Sequence, residues 1–134
     1  IFLCDQDDAW EEYKVEMLRK ILDEYEEVSL VSSSFMHIDG RGNKDNGNRR
    51  AYKKRMRKNE LICVPVEDLI FHNISQGCSM AMRKEIKDLY LEHFTEELPH
   101  DWMLNVIAAM QKKCYYLNKA LFYYLLNKTL TTHF

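Results

Sequence analysis

The stretch IFLCDQDDAW, residues 1–10, decides how the rest of this chain is interpreted. Three apolar residues run directly into three carboxylates, Asp5, Asp7 and Asp8. A short apolar run of this kind predicts a buried strand. In open α/β sheets, ligands bind at the carboxyl ends of the strands. Because crowded carboxylates repel one another, we expect a divalent cation at this strand end.

Carboxylate oxygens are ligands that hard cations such as Mg²⁺ and Mn²⁺ prefer, often together with substrate phosphates. The first hypothesis is therefore a metal-diphosphate site, with Asp5 and Asp7 as metal ligands. Asp5, Asp7 and Asp8 together form the candidate cofactor-binding group. The alternative is an acidic turn between strand and helix, in which Asp8 caps the helix that follows. The D-x-D spacing alone leaves both interpretations open.

Length and composition indicate a single domain, residues 1–134, that is large enough to bury a core. The formal net charge of −2 gives no support for nucleic acid as a partner. The four cysteines, which form no C-x-x-C pair, are Cys4, Cys63, Cys78 and Cys114. This pattern argues against a zinc site and predicts reduced cysteines in a cytoplasmic protein. No apolar run is long enough to span a bilayer, and no signal peptide is evident.

Periodicity predicts a first helix over about residues 8–26 and a strand over 27–38. The apolar residues assigned to the buried face of this helix are Trp10, Tyr13, Met17, Ile21 and Tyr25. The charged residues between them, Lys14 included, are assigned to the solvated side.

A Gly- and Asn-rich loop is predicted over residues 39–48. It leads into the basic segment, residues 49–60, whose sequence is RRAYKKRMRKNE. The pattern predicts a surface helix, with Tyr52 and Met56 as its small apolar face. Two interpretations stay open: a simply solvated helix, or a patch that contacts anionic lipid head groups or a phosphate-bearing acceptor.

The second half of the sequence predicts short helices that alternate with strands. We expect a short helix over 66–73 after Pro65, a strand over 74–84 and a helix over 85–94. In the predicted strand, Gly77 allows a close backbone approach or a positive φ. A further helix follows Pro99, and a strand over 112–124 turns at Asn118 and Lys119.

Three ordered motifs carry a family resemblance: FLCDQDDAW at residues 2–10, QGCSMAMRK at 76–84 and HDWMLNVIAA at 100–109. Together they resemble family 2 glycosyltransferases, especially the rhamnosyltransferase-like enzymes of bacterial polysaccharide assembly. The resemblance covers most of the chain. At the position where many relatives carry a Tyr-Arg-x-His segment, this chain has YLLN, beginning at Tyr124.

The resemblance implies an α/β fold, part of a Rossmann-like nucleotide-sugar domain of the GT-A type. In that family the D-x-D carboxylates hold the metal that bridges the donor diphosphate. The resemblance makes Asp101 the catalytic base; the alternative is a carboxylate that merely favours the positive end of its helix. Residues that the resemblance places at the sugar or acceptor site are Gly77, Cys78, Ser79, His100 and Trp102. For Trp102, packing in the core is the other interpretation.

The expected activity is metal-dependent, inverting transfer of a sugar from a nucleotide-sugar donor to a saccharide or lipid-linked acceptor in polysaccharide synthesis. The chain would then be the C-terminal part of a catalytic domain. We expect it to be inactive alone, because the preceding nucleotide-binding units are missing. The expected location is the cytoplasm, with peripheral contact at the inner membrane face as an option. The alternative to an enzyme is a non-catalytic interaction domain that binds anionic surfaces through the basic segment.

Overall fold

The computed structural model describes residues 1–4, 9–50 and 52–125. It is a mixed α/β protein. The strands are β1 Ala9–Trp10, β2 Leu30–Ile38, β3 Lys44–Arg50, β4 Leu61–Cys63, β5 Met80–Met82 and β6 Cys114–Leu125. The α-helices are α1 Lys14–Glu24, α2 Lys84–Glu92 and α3 His100–Met110, and 3₁₀ turns cover Val66–Leu69 and Gly77–Ser79.

Two long strands, β2 and β6, run parallel at the centre of a mixed sheet. The outer edge of β2 pairs antiparallel with β5 at Leu30–Ser32 and with β3 from Phe35 onward. The outer edge of β6 pairs antiparallel with β4 and, farther along, with β1. Each central strand is thus flanked by two short strands placed end to end.

Side-chain alternation along the central strands divides the core into two layers. On one face, Leu30, Met80 and Cys114 pack against Ile86 of α2 and Leu104 of α3. On the other face, the neighbouring residues of the same strands pack against α1. That second cluster contains Leu18, Leu22, Val31, Ala81, Leu117 and Leu121. The sheet therefore lies between α1 on one side and α2 with α3 on the other.

The first helix is shorter than expected and turns a different face to the core. Trp10 pairs with Phe122, and the Glu11 amide donates to the Leu121 carbonyl at 2.9 Å, so the helix begins only after this strand contact. Leu18 and Leu22 are buried, whereas Tyr13 and Tyr25 are about 40% exposed. The prediction for the two tyrosines was wrong, and so was the solvated position assigned to Lys14, which is fully buried.

The opening apolar run does not form the buried strand that its composition predicted. Phe2 makes an isolated antiparallel bridge to Ala81, and Ile1 and Met82 exchange two backbone hydrogen bonds of 2.9 and 3.0 Å. Ile1 is 44% exposed, because this segment lies at the outer edge of β5. The strand expected over 74–84 is likewise confined to Met80–Met82, since the preceding residues form a tight 3₁₀ turn.

The predicted loop over 39–48 is a short turn, and a strand, β3, follows it. Asp39 closes the turn, since its Oδ1 accepts the Arg41 and Asn43 amides at 2.9 and 2.8 Å. Gly42 supplies the positive φ of 81° that the turn requires.

The surface helix predicted for the basic segment is absent: residues 49 and 50 end β3, and residues 52–60 form bends and turns. The Asn118 side-chain amide donates to the Arg57 carbonyl at 2.7 Å, so this carbonyl is not left to accept a hydrogen bond within a helix. Asn59 has a φ of 61°, which a right-handed helix does not allow. Tyr52 and Met56 still pack on the core, as the apolar pattern indicated.

The other predictions agree with the structure within a few residues. They cover β2, the 3₁₀ turn after Pro65, α2, α3 and β6. The turn expected at Asn118 and Lys119 is a bulge within a continuous strand, because Ser33 pairs with Leu117 and Ser34 with Ala120. In the part of the chain that the structure describes, no helix is both long and apolar enough to cross a membrane.

Candidate active site

A cavity of about 360 Å³ brings together segments from four parts of the sequence. Its lining consists of Leu3 and Cys4, the stretch Gln76–Cys78, the helix start at His100 and Asp101, and Tyr124 near the end of β6. Leu3 and Cys4 lead directly into Asp5. The cavity therefore lies where the residues before the D-x-D motif meet the other two motifs.

The wall formed by Gln76–Cys78 belongs to a compact turn that ends at Ser79. The Gln76 carbonyl accepts from the Ser79 amide at 3.0 Å and from the Ser79 hydroxyl at 2.6 Å. Gly77, Cys78 and Ser79 are all buried. Because the turn closes on its own backbone, it presents a rigid surface to the cavity.

Asp101 lies in the first turn of α3, and its carboxylate is held from two sides. Oδ1 accepts from the Trp102 amide at 2.8 Å, and Oδ2 accepts from the Gly77 amide at 3.3 Å. The helix N-terminus favours the negative charge electrostatically. This carboxylate is half-buried at the cavity wall, where a proton acceptor could meet a bound hydroxyl.

Gly77 is required by a close approach rather than by an unusual backbone angle. A Cβ at this position would lie 3.0 Å from His100 Nε2 and 3.2 Å from Leu3 Cδ1. The absence of a side chain therefore lets the turn contact both the start of α3 and the segment that leads to Asp5.

The structure brings four of the predicted site residues to this cavity: Gly77, Cys78, His100 and Asp101. Ser79 faces a neighbouring cavity instead. Trp102 packs against the core, and its indole nitrogen donates to the Leu69 carbonyl at 2.8 Å. The structure thus agrees with the core interpretation of Trp102.

The predicted metal ligands and cofactor contacts, Asp5, Asp7 and Asp8, lie outside the described residues. Within the described ranges, no group of three or more His, Cys, Asp or Glu side chains is arranged to hold a metal ion.

The neighbouring cavity has a volume of about 350 Å³ and shares Gln76 with the first. Four rings line it: Phe35, Tyr52, His72 and Tyr116. Five neutral polar residues line it as well: Ser33, Asn73, Ser75, Gln76 and Ser79. This second cavity was not predicted from the sequence, because its lining comes from residues far apart in the chain.

A buried amide, Asn105, organises one side of the second cavity. Its Nδ2 donates to Asn73 Oδ1 at 2.8 Å and to Ser75 Oγ at 2.9 Å. Its Oδ1 accepts from the thiol of Cys114 at 3.7 Å. Burial, with a smaller contribution from Cys63, raises the pKa of Cys114 to about 12, so the thiol keeps its proton at neutral pH.

Lys14 is the residue of this region that the sequence reasoning missed. Its ammonium donates a hydrogen bond to the Cys78 carbonyl and lies 3.6 Å from the centroid of the Trp10 ring, a cation–π contact. The available signal was the spacing of Lys14, Leu18 and Leu22, which puts the lysine on the same helical stripe as two leucines.

Comparison with models of known protein families and with curated protein sequences returned no match.

Proposed function

We propose that this chain is a glycosyltransferase domain of the GT-A type, which transfers a sugar from a nucleotide-sugar to a saccharide or lipid-linked acceptor with inversion. One observation carries the proposal. Asp101 and the Gly77–Cys78 turn line a single cavity with Cys4, which directly precedes Asp5. A candidate base and the residue that precedes the three carboxylates in the sequence thus line one cavity, although they are far apart in the chain.

In the proposed reaction, an acceptor hydroxyl attacks the anomeric carbon of the donor from the face opposite the diphosphate. The new carbon–oxygen bond forms as the bond to the diphosphate breaks, and the bonding pair leaves with the diphosphate. Asp101 takes the hydroxyl proton. The Gly77 and Trp102 amides orient its carboxylate, and general-base catalysis of this kind contributes about a hundred-fold to ten-thousand-fold.

Asp5 and Asp7 would hold Mg²⁺ or Mn²⁺, since their carboxylate oxygens are the donor type that these cations prefer. When bound, the cation would neutralise charge on the leaving diphosphate. Asp8 would contribute to the same cofactor-binding group. Two features support this metal assignment: the carboxylate chemistry of the donors, and the position of the preceding residue, Cys4, at the cavity wall.

The test is a titration of Mn²⁺ and uridine, thymidine or guanosine diphosphate into the chain and into two variants. We expect Asp7→Ala to abolish the metal-dependent part of nucleotide binding. Asp101→Asn should retain it. In any longer form of the protein that transfers sugar, the same substitution should lower the rate of transfer at least a hundred-fold. Equal metal affinity in the unmutated chain and in Asp7→Ala would overturn the metal assignment. A near-normal transfer rate with Asp101→Asn would show that Asp101 is not the base and only favours the positive end of its helix.

A second candidate function is binding of anionic surfaces by the basic segment. The observation in its favour is exposure: Lys53, Lys54, Arg55, Arg57 and Lys58 all reach solvent. This function does not compete with sugar transfer, because a lipid-linked acceptor would lie at such a surface.

A further inference from the structure

The second cavity lies at a gap in the edge of the sheet. β5 pairs with β2 as far as Ser32, and β3 pairs with it from Phe35 onward. Between them, Ser33 and Ser34 have no strand partner on this edge within the described ranges. Ser33, within this gap, and Phe35, just beyond it, both line the second cavity.

The polar lining of this cavity consists mainly of hydroxyl and amide groups. Its described side chains include no Asp, Glu, Lys or Arg, and His72, at an exposed position, is the one basic side chain that lines it. Hydroxyl and amide groups provide both donors and acceptors instead. Within the described part of the chain, the Ser33 hydroxyl is buried and has no hydrogen-bond partner. A buried hydroxyl left unpaired is destabilising, and a hydroxyl-bearing ligand would supply the missing hydrogen bond.

The aromatic lining gives the cavity apolar surfaces set at an angle. The rings of Tyr52 and Tyr116 have centroids 5.4 Å apart and are inclined at 53°. Inclined rings do not form the parallel slot that a flat nucleobase would fill. They suit a puckered ring whose C–H faces are apolar and whose edge carries hydroxyl groups.

The positions of the polar groups are set by the fold before any ligand binds. Asn105 holds Asn73 and Ser75, as described above, and Asn73 Nδ2 also donates to the Ser75 carbonyl at 2.7 Å. Elsewhere in the lining, the Tyr52 hydroxyl donates to Asp68, which also pairs with Lys53 at 3.7 Å. Such preorganisation reduces the entropy lost on binding.

We propose that the second cavity binds one neutral pyranose ring. Its volume of about 350 Å³ is at the small end of ligand pockets, about 300 to 1,000 Å³, and so suits a single sugar ring. Gln76 lines both cavities, so a sugar held in the second can direct a hydroxyl group toward Asp101 in the first. The identification of this sugar as the acceptor rests on the proposed function; binding of the ring does not.

The test is ligand titration monitored by NMR on the ¹⁵N-labelled chain. The probes are the methyl glycosides of rhamnose, glucose and galactose, with uridine, inorganic phosphate and cyclohexanemethanol as comparisons. We expect at least one glycoside to bind and to shift the side-chain amide signals of Asn73 and Gln76. Absence of binding by every glycoside would overturn the proposal, and so would preferential binding of uridine, phosphate or cyclohexanemethanol.

Two pairs of variants locate the bound ring. Tyr52→Leu removes a cavity ring and should weaken glycoside binding about five-fold or more. Tyr90→Leu is its control, since Tyr90 packs on the same core cluster without lining the cavity. His72→Ala, at an exposed lining position, should weaken binding about two-fold, whereas His93→Ala, also exposed, should not. Equal effects within each pair would overturn the assignment to this cavity.

The same samples separate this proposal from the proposed function. If a glycoside binds here while Mn²⁺ binds equally to the unmutated chain and to Asp7→Ala, the sugar site stands and the metal assignment of the proposed function fails. If Mn²⁺ binding depends on Asp7 and no glycoside binds, the second cavity is not a sugar site and the metal assignment stands.

Discussion

The buried ammonium of Lys14 donates a hydrogen bond to the backbone carbonyl of Cys78, and so joins helix α1 to the turn that lines the candidate active site. The same ammonium lies over the Trp10 ring. A buried lysine is stable only where such contacts replace the water it has lost. This contact therefore couples the stability of α1 to the position of the cavity wall.

Replacing Lys14 with Met should lower the free energy of unfolding by about 2 kcal/mol or more. The charged group's hydrogen bond is lost, and a Met side chain cannot donate one to the Cys78 carbonyl. Lys20→Met is the matched control on the same helix. Lys20 is exposed and makes only a surface pair with Glu24 at 3.8 Å. Urea unfolding followed by circular dichroism measures both variants, and equal losses would contradict the anchoring role of Lys14.

Gly77→Ala should destabilise the chain by about 1 to 3 kcal/mol, because the new methyl group overlaps the space used by His100 and Leu3. In a His100→Ala background the loss should shrink, since one of the two close contacts is gone. Gly40→Ala is the control: a Cβ there meets no atom within 4 Å, so stability should hold or rise slightly. Thermal unfolding of the four variants tests this, and a Gly77→Ala loss unaffected by His100→Ala would show that Leu3 or the backbone is responsible.

Stability should fall between about pH 9 and pH 12, partly because of Cys114. Its pKa is raised from 9.0 to about 12 by burial, so above pH 9 the unfolded chain releases a proton that the folded chain retains. The unfolded state then binds fewer protons, and the free energy of unfolding decreases with rising pH.

Cys114→Ala should make the loss of stability between pH 8 and pH 10.5 smaller than in the unmutated chain. Cys63→Ala, at an exposed thiol, should change that loss much less. Urea titrations at the two pH values measure the difference, and the same pH dependence in the unmutated chain and in Cys114→Ala would rule out a contribution from this thiol.

The basic segment should bind anionic vesicles if the second candidate function holds. Replacing Lys53, Lys54 and Arg55 with Gln should weaken sedimentation with phosphatidylglycerol vesicles about a hundred-fold, at about 1 kcal/mol for each charge near the surface. Gln at Arg19, Lys20 and Lys84 removes the same charge from exposed positions elsewhere. If both triple variants lose binding equally, net charge rather than this segment is responsible.

Elements whose signals are local were predictable from the sequence. Pro99 and the apolar spacing after it locate α3, and the long apolar run after Lys112 locates β6. The basic segment was mispredicted because its conformation depends on Asn118 of β6, whose side-chain amide donates to the Arg57 carbonyl. Helical spacing cannot report a hydrogen bond made by a residue so distant in sequence.

The sequence by itself determined the chemical types at the candidate site: a carboxylate cluster, a glycine that permits close approach, and an acidic residue at a helix start. Only the tertiary structure decided that Gly77 and Asp101 meet, that Lys14 bonds to the Cys78 carbonyl, and that a second cavity opens beside the sheet. The physical reason is that residue type and local period set which groups are available and which face they occupy. Which groups become neighbours depends on strand order and register, and these are set by packing between residues remote in sequence.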